Sequence, residues 1–100
     1  MTVYVTQEVA NVNYAPAAVF GDIVFITSSN DKISSQPNSL NNRKILDDIE
    51  IRLKDFKPSD YLVCTGSPAL MAICGAKLHS RLQRLLVWDN REYSYFEVKL

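Results

Sequence analysis

The polar turn Thr65-Gly66-Ser67 lies between an apolar run and a segment typical of a helix. A helix beginning at this turn directs free backbone N–H groups outward, where they bind anions or carboxylates. Gln7 and Glu8 follow the first apolar run, so parallel strands would bring them to the same crevice. The sequence thus predicts either a ligand site built from Gln7, Glu8, Thr65, Gly66 and Ser67, or a structural cap in which Glu8 replaces the ligand.

A second cluster of chemically informative residues lies near the C-terminus. It consists of Trp88, Asp89, Arg91, Tyr93 and Tyr95. Trp, Tyr and Arg bury large areas while keeping a polar group, and they are enriched where proteins bind other proteins. These residues predict an interaction surface. The alternative is that Trp88 packs under the helices while Tyr93 and Tyr95 cover an edge strand.

Residues for conventional catalysis are few. His79 is the only histidine, so one chain cannot form a two-histidine metal site. Ser67 lacks the G-x-S-x-G context of a nucleophile turn, and neither G-x-x-x-x-G-K-[ST] nor G-x-G-x-x-G occurs among the three glycines. We expect no catalytic residues, metal or cofactor. An enzyme whose site is completed across a subunit interface remains an alternative.

The two cysteines, Cys64 and Cys74, lie in apolar segments typical of a strand and a helix. Cysteine without a nearby base or metal ligand usually behaves as a small hydrophobic residue. Both are therefore predicted to be buried free thiols.

Composition and length narrow the class of protein further. The chain has 100 residues, with 11 Lys plus Arg against 11 Asp plus Glu, and 47% hydrophobic residues. This is typical of a single globular domain over residues 1–100. Zero net charge argues against binding to nucleic acid or an acidic membrane. The longest apolar stretch, about residues 69–76, is far below the ~20 residues that span a bilayer. Residues 1–10 lack the basic start, apolar run and cleavage site of a secretory signal, so none is expected. A cytoplasmic protein is expected.

The periodicity predicts an α/β fold, a mostly parallel five-stranded sheet flanked by two main helices. Predicted strands are 2–7, 22–27, 60–65, 84–89 and 93–99, and predicted helices are 39–56 and 68–81. Alternating strands and helices indicate parallel crossovers in the order 2-1-3-4-5, and the last two strands form a C-terminal β-hairpin with an antiparallel edge strand.

Local signals refine these elements. Asn38 or Ser39 caps the first helix, Lys57-Pro58 ends it, and a single helical turn is expected near Pro16. The predicted core comprises Val63, Ile49, Leu53, Ile73, Leu86 and Phe96.

Four segments carry a resemblance to a known family: VYVTQE, FGDIVFI, LKDFKPSDYLVCTGSPA and RLLVWDNREYSYFEVKL. Across nearly the whole chain the sequence resembles small uncharacterised proteins of tailed bacteriophages, including podovirus-like phages of marine bacteria. Family members often have Asp after the glycine of the central turn, where this chain has Ser67. The resemblance implies a phage origin and the cytoplasm of an infected host. It implies no activity and no catalytic residues.

Two functional hypotheses follow. The first is a non-enzymatic accessory protein that binds a host or phage protein through the aromatic hairpin. The second is a small-ligand, nucleotide or anion-binding domain that uses the crevice. We also expect a homodimer, because two helices cannot cover both faces and both edges of a five-stranded sheet.

Overall fold

A computed structural model describes residues 1–100 and contains one five-stranded sheet. The strands are β1 (Thr2–Val5), β2 (Asp22–Phe25), β3 (Tyr61–Val63), β4 (Arg84–Asp89) and β5 (Ser94–Lys99). Their spatial order is β2-β1-β3-β4-β5. The α/β class and the strand order predicted from sequence are therefore confirmed.

The pairing is parallel except at one edge. β1 pairs with β2 and β3, and β3 pairs with β4, all in parallel. β5 is antiparallel to β4, with Trp88 opposite Tyr95 and Val87 opposite Phe96. The connection after β1 leads to β2 on one side of the sheet, and the connection after β3 leads to β4 on the other side. β1 and β3 therefore form the switch point at which a crevice opens.

The helices are shorter than predicted. They are α1 (Leu40–Leu53) and α2 (Pro68–Leu78), and two 3-10 helices span Ala15–Phe20 and His79–Arg81. Ser39 caps α1 by accepting a hydrogen bond from Asn42 N. α2 ends where His79 takes a positive φ of 50°, which a regular helix cannot continue through. The expected helical turn near Pro16 is the first 3-10 helix.

Each face of the sheet has its own hydrophobic core. On one face the side chains of α1 and α2 pack against the strands; this core contains Tyr4, Ile26, Ile45, Ile49, Leu53, Phe56, Leu62, Leu70, Cys74 and Leu78. On the other face the segment around the first 3-10 helix provides the cover; this core contains Val3, Val5, Tyr14, Ala17, Tyr61, Val63, Leu86 and Tyr95. Both main helices thus lie on the same face.

The uneven cover changes which hairpin residues are buried. Phe96, predicted to be in the core, is 46% exposed, whereas its neighbour Tyr95 is only 7% exposed. The prediction for Phe96 is wrong because it points to the helix side at a strand that no helix reaches, while Tyr95 packs in the opposite core. Ile73 is partly buried against the helix-side core. The other four predicted core residues are buried.

Neither main helix could cross a membrane. Neither α1 nor α2 combines the length and the apolar character required to cross a bilayer.

Candidate functional site

The carboxyl ends of β1 and β3 are joined by threonine side chains. Thr6 Oγ1 donates a hydrogen bond to Thr65 O at 2.6 Å and accepts one from Thr65 N at 2.9 Å. Thr65 Oγ1 in turn donates to Gln7 O at 2.6 Å. Thr27, just beyond β2, donates to Thr6 O at 2.7 Å. Backbone groups that lose their sheet partners where the strands end are thereby satisfied.

Tyr14 extends this network toward the opposite core. Its hydroxyl lies 2.9 Å from Thr65 Oγ1 and accepts a hydrogen bond from Val9 N at 3.0 Å. Its ring packs edge-on against Phe25, with ring centroids 5.2 Å apart. The loop that covers this face of the sheet is therefore attached to the switch point.

Gln7 bridges three separate segments at the crevice. Its Oε1 accepts a hydrogen bond from Ser67 N at 2.8 Å, and its Nε2 donates to Ser28 O and Asp31 O, both at 2.9 Å. Gly66 makes room for it: a Cβ at that position would lie 2.3 Å from Gln7 Oε1. The buried amide occupies the space where a ligand of α2 would be expected.

The structure thus brings together Gln7, Thr65, Gly66 and Ser67, but not Glu8. Glu8 is exposed, and the prediction that its carboxylate would act as the cap is wrong, because the amide of Gln7 does so. Ser67 is the N-cap residue of α2, but its own side chain makes no capping hydrogen bond. A more open pocket of about 490 Å³, lined mostly by polar residues, remains beside Gln7 and Ser67 at this end of the crevice.

A larger cavity opens on the sheet face opposite the helices. This aromatic groove lies where β3 and β4 end and has a volume of about 680 Å³. It is lined by Asn11, Val12, Asn13, Val63, Cys64, Thr65, Leu85, Leu86, Val87, Trp88 and Tyr95. The first 3-10 helix contacts β1, β2 and β5 on this face, and the neighbouring ends of β3 and β4 remain open.

Trp88 forms one wall of the aromatic groove and is held rigidly. Its ring meets that of Tyr95 in a T-shaped contact with centroids 5.1 Å apart, and Nε1 donates to Asn90 Oδ1 at 2.7 Å. Trp88 therefore does not pack under the helices, which was the alternative to an interaction surface. It is 37% exposed and faces the groove.

The other hairpin residues have different roles. Tyr93, 76% exposed, meets Trp88 edge-on at 6.5 Å. Asp89 Oδ1 accepts a hydrogen bond from Arg91 N at 2.9 Å and so shapes the hairpin turn. The Arg91 side chain is exposed. Of the five predicted interaction residues, Trp88 and Tyr95 line the groove and Tyr93 adjoins Trp88. Asp89 ends β4, and Arg91 lies in the turn.

The lining of the groove carries no charged side chain. Cys64 borders the groove and is exposed, contrary to the prediction that both cysteines are buried. It follows Val63 of the groove-side core, so its side chain alternates to the helix side, where Cys74 lies. Desolvation raises the pKa of the Cys64 thiol. Burial, with a smaller effect from Cys64, raises the pKa of Cys74 to about 12. Neither thiol is poised as a thiolate nucleophile near neutral pH.

Sequence reasoning missed the loop that forms the far wall, Asn11 to Asn13. A weak signal was present: Asn11 has a positive φ of 68°, a conformation that asparagine adopts more readily than most residues. An asparagine-rich turn between two strands marks a place where the segment that covers the sheet could bend away from it.

No three His, Cys, Asp or Glu side chains lie close enough together to hold a metal ion.

Fold and groove together define a small α/β protein with a 2-1-3-4-5 sheet and a neutral, aromatic-walled cavity at the carboxyl ends of β3 and β4. The family model of the phage Pam3 gp32-like protein matches residues 1–100, and the chain belongs to this family. The resemblance to small phage proteins is thereby confirmed. Neither the curated proteins nor the solved structures gave a match.

Proposed function

We propose that this phage protein is a non-enzymatic binding protein whose aromatic groove accepts an apolar segment of a partner protein, of host or phage origin, in the infected cell. The observation that carries the proposal is the groove itself, about 680 Å³ in volume and free of charged side chains. Binding cavities in proteins typically measure about 300–1,000 Å³ and are mostly apolar with a few polar groups. Thr65, Asn11 and Asn13 supply such polar groups here.

The rigid aromatic wall supports the same proposal. Trp88 is fixed by Tyr95 on its ring and by Asn90 at its Nε1. A side chain already held in place loses little conformational entropy when a partner binds. Trp and Tyr are also among the residues that contribute most to binding energy.

A polypeptide segment fits better than a small apolar molecule. Apolar surface continues beyond the groove at Tyr93, which is 76% exposed and meets Trp88 edge-on. A small molecule within the groove would leave Tyr93 uncovered, whereas an apolar segment with neighbouring residues would cover it. Large contiguous apolar surface of this kind marks sites of protein association.

The crevice is the weaker candidate site. The Ser67 N–H that would bind an anion already donates to Gln7 Oε1. A ligand there would have to displace a buried amide that makes three hydrogen bonds. The aromatic groove needs no such displacement.

Variants of the hairpin test the groove directly. Displayed peptides selected against the purified protein should carry bulky apolar side chains. Their affinity should be measured for the wild type, for Trp88→Ala and for Phe96→Ala, with the folding of each variant checked by circular dichroism.

Trp88→Ala should weaken binding, whereas Phe96→Ala, on the other face of the hairpin, should not. Peptides that bind equally well to the wild type and to Trp88→Ala would place the binding site elsewhere.

A further inference from the structure

The outer edge of β5 has unpaired backbone groups at defined positions. Leu100 N donates to Gln83 O at 2.8 Å, which fixes the phase of the β4–β5 ladder. Because antiparallel strands alternate hydrogen-bonded and non-hydrogen-bonded pairs, Phe96 and Val98 bond to β4. Tyr95, Glu97 and Lys99 therefore direct their N–H and C=O groups away from the sheet, at an edge that no other strand of the chain covers.

Two of these outward residues carry opposite charges without a close partner. Glu97 Oε1 lies 3.9 Å from Arg84 Nη1, a long contact, while Glu97 Oε2 is enclosed and has no hydrogen-bond partner. Lys99, two residues further along the same face, is exposed and forms no ion pair. A second chain that brings a cation beside Glu97 and an anion beside Lys99 would complement both.

A second copy can do this in one register of two-fold antiparallel pairing. A two-fold axis at Glu97 places the Glu97 carboxylates of the two copies opposite each other, which is destabilising. An axis at Phe96 sets Glu97 opposite Tyr95 and leaves Lys99 without a counter-charge. An axis at Val98 sets Glu97 opposite Lys99 twice, because the contact is self-complementary.

We propose that the protein forms a symmetric homodimer by antiparallel pairing of its β5 strands, with the two-fold axis at Val98. The same register sets Phe96 opposite Leu100 on the helix-side face. These two side chains are 46% and 64% exposed in the single chain and cover each other in the dimer. Charge complementarity on one face and apolar contact on the other thus select the same axis.

Cysteine substitution tests the axis directly. Cα atoms of a non-hydrogen-bonded antiparallel pair lie about 4.5 Å apart, within the range that a disulfide spans. In a Cys64→Ser background, Val98→Cys should form a disulfide-linked dimer under mild oxidation, seen on a non-reducing gel. Phe96→Cys and Glu97→Cys are the matched controls, because in this register neither faces its own copy.

Charge reversal provides the second measurement, on proteins whose folding is checked by circular dichroism. Glu97→Lys or Lys99→Glu alone should raise the dimer dissociation constant about tenfold, since each places like charges opposite twice. The double variant Glu97→Lys/Lys99→Glu should restore dimerisation. Lys99→Glu places a carboxylate opposite Arg84 in the single and in the double variant alike, so recovery of the double variant relative to Lys99→Glu reports pairing between chains.

A wild-type mass of 22.6 kDa by light scattering, twice the 11.3 kDa of one chain, together with cross-linking at Val98, is the expected result. A single-chain mass at all concentrations, stronger cross-linking at Phe96 or Glu97, or no recovery in the double variant would each overturn the proposal.

Discussion

Gln7 Oε1 lies 2.8 Å from Ser67 N, so the first turn of α2 is capped by a side chain that follows β1 in the sequence. The same amide binds two carbonyl oxygens in the loop after β2. One side chain therefore holds three segments at the switch point of the sheet. The aromatic groove opens beside this network, at Thr65.

Gly66→Ala should destabilise the protein, because a Cβ there would meet Gln7 Oε1 at 2.3 Å and the backbone has a φ of +91°. Such conformations cost a non-glycine residue about 1–3 kcal/mol. Gly75→Ala is the matched control. It lies in α2 with no atom within 4 Å of the added Cβ and should stabilise by about 0.5–1 kcal/mol. Urea denaturation measures both, and equal effects would contradict this account.

Gln7→Ala should lower the free energy of unfolding by about 1–3 kcal/mol, because it removes the partner of the Ser67 N–H and of two carbonyl groups. The wild type should show no thermal stabilisation by inorganic phosphate, since Gln7 occupies the anion position. Strong stabilisation of the wild type by phosphate would revive the crevice as a ligand site.

Leu53→Ala should cost about 2–5 kcal/mol, because Leu53 is buried in the core between α1 and the sheet. Ile51→Ala, on the exposed side of the same helix, should change stability by about 0.5 kcal/mol or less. Chemical denaturation of the two variants compares them directly. A small effect at Leu53 would mean that α1 packs through another face.

Stability should fall in alkaline solution through Cys74. Its thiol has a pKa of about 12 in the folded protein against an ordinary value of 9.0. The unfolded chain therefore releases this proton at a lower pH than the folded chain does. The stability that the protonated Cys74 thiol contributes is fully present below pH 9 and is lost as the pH rises toward 12. Cys74→Ala should show a flatter stability profile over that interval, and an unchanged slope would contradict the assignment.

The element positions could be predicted because they depend on local patterns, and the strand order because parallel crossovers allow few arrangements. Continuous apolar runs such as Tyr61–Val63 are typical of central parallel strands. Pro68 after a glycine-serine turn fixed the start of α2. Element ends were predicted too long, since hydrophobic periodicity does not show where hydrogen bonding stops.

The candidate site was predicted only in part, because burial depends on which face each helix covers. Alternation along β5 correctly separated Phe96 from Tyr95, but it could not show that the helix side would be bare at that strand. Exposure of Cys64 depends on the same uneven cover. The role of Gln7 depends on three hydrogen bonds to segments distant in sequence, which no local pattern encodes.

The central claim is that a partner segment binds in the aromatic groove, and the single tryptophan makes it measurable. Trp88 gives one indole N–H resonance in a proton–nitrogen NMR spectrum of the labelled protein. Titration with a selected apolar peptide should shift this resonance together with the amides of Val12, Cys64 and Leu86, while those of Ser28 and Ser67 stay unchanged. Shifts confined to the crevice or to the outer edge of β5, with the Trp88 resonance unmoved, would contradict the claim.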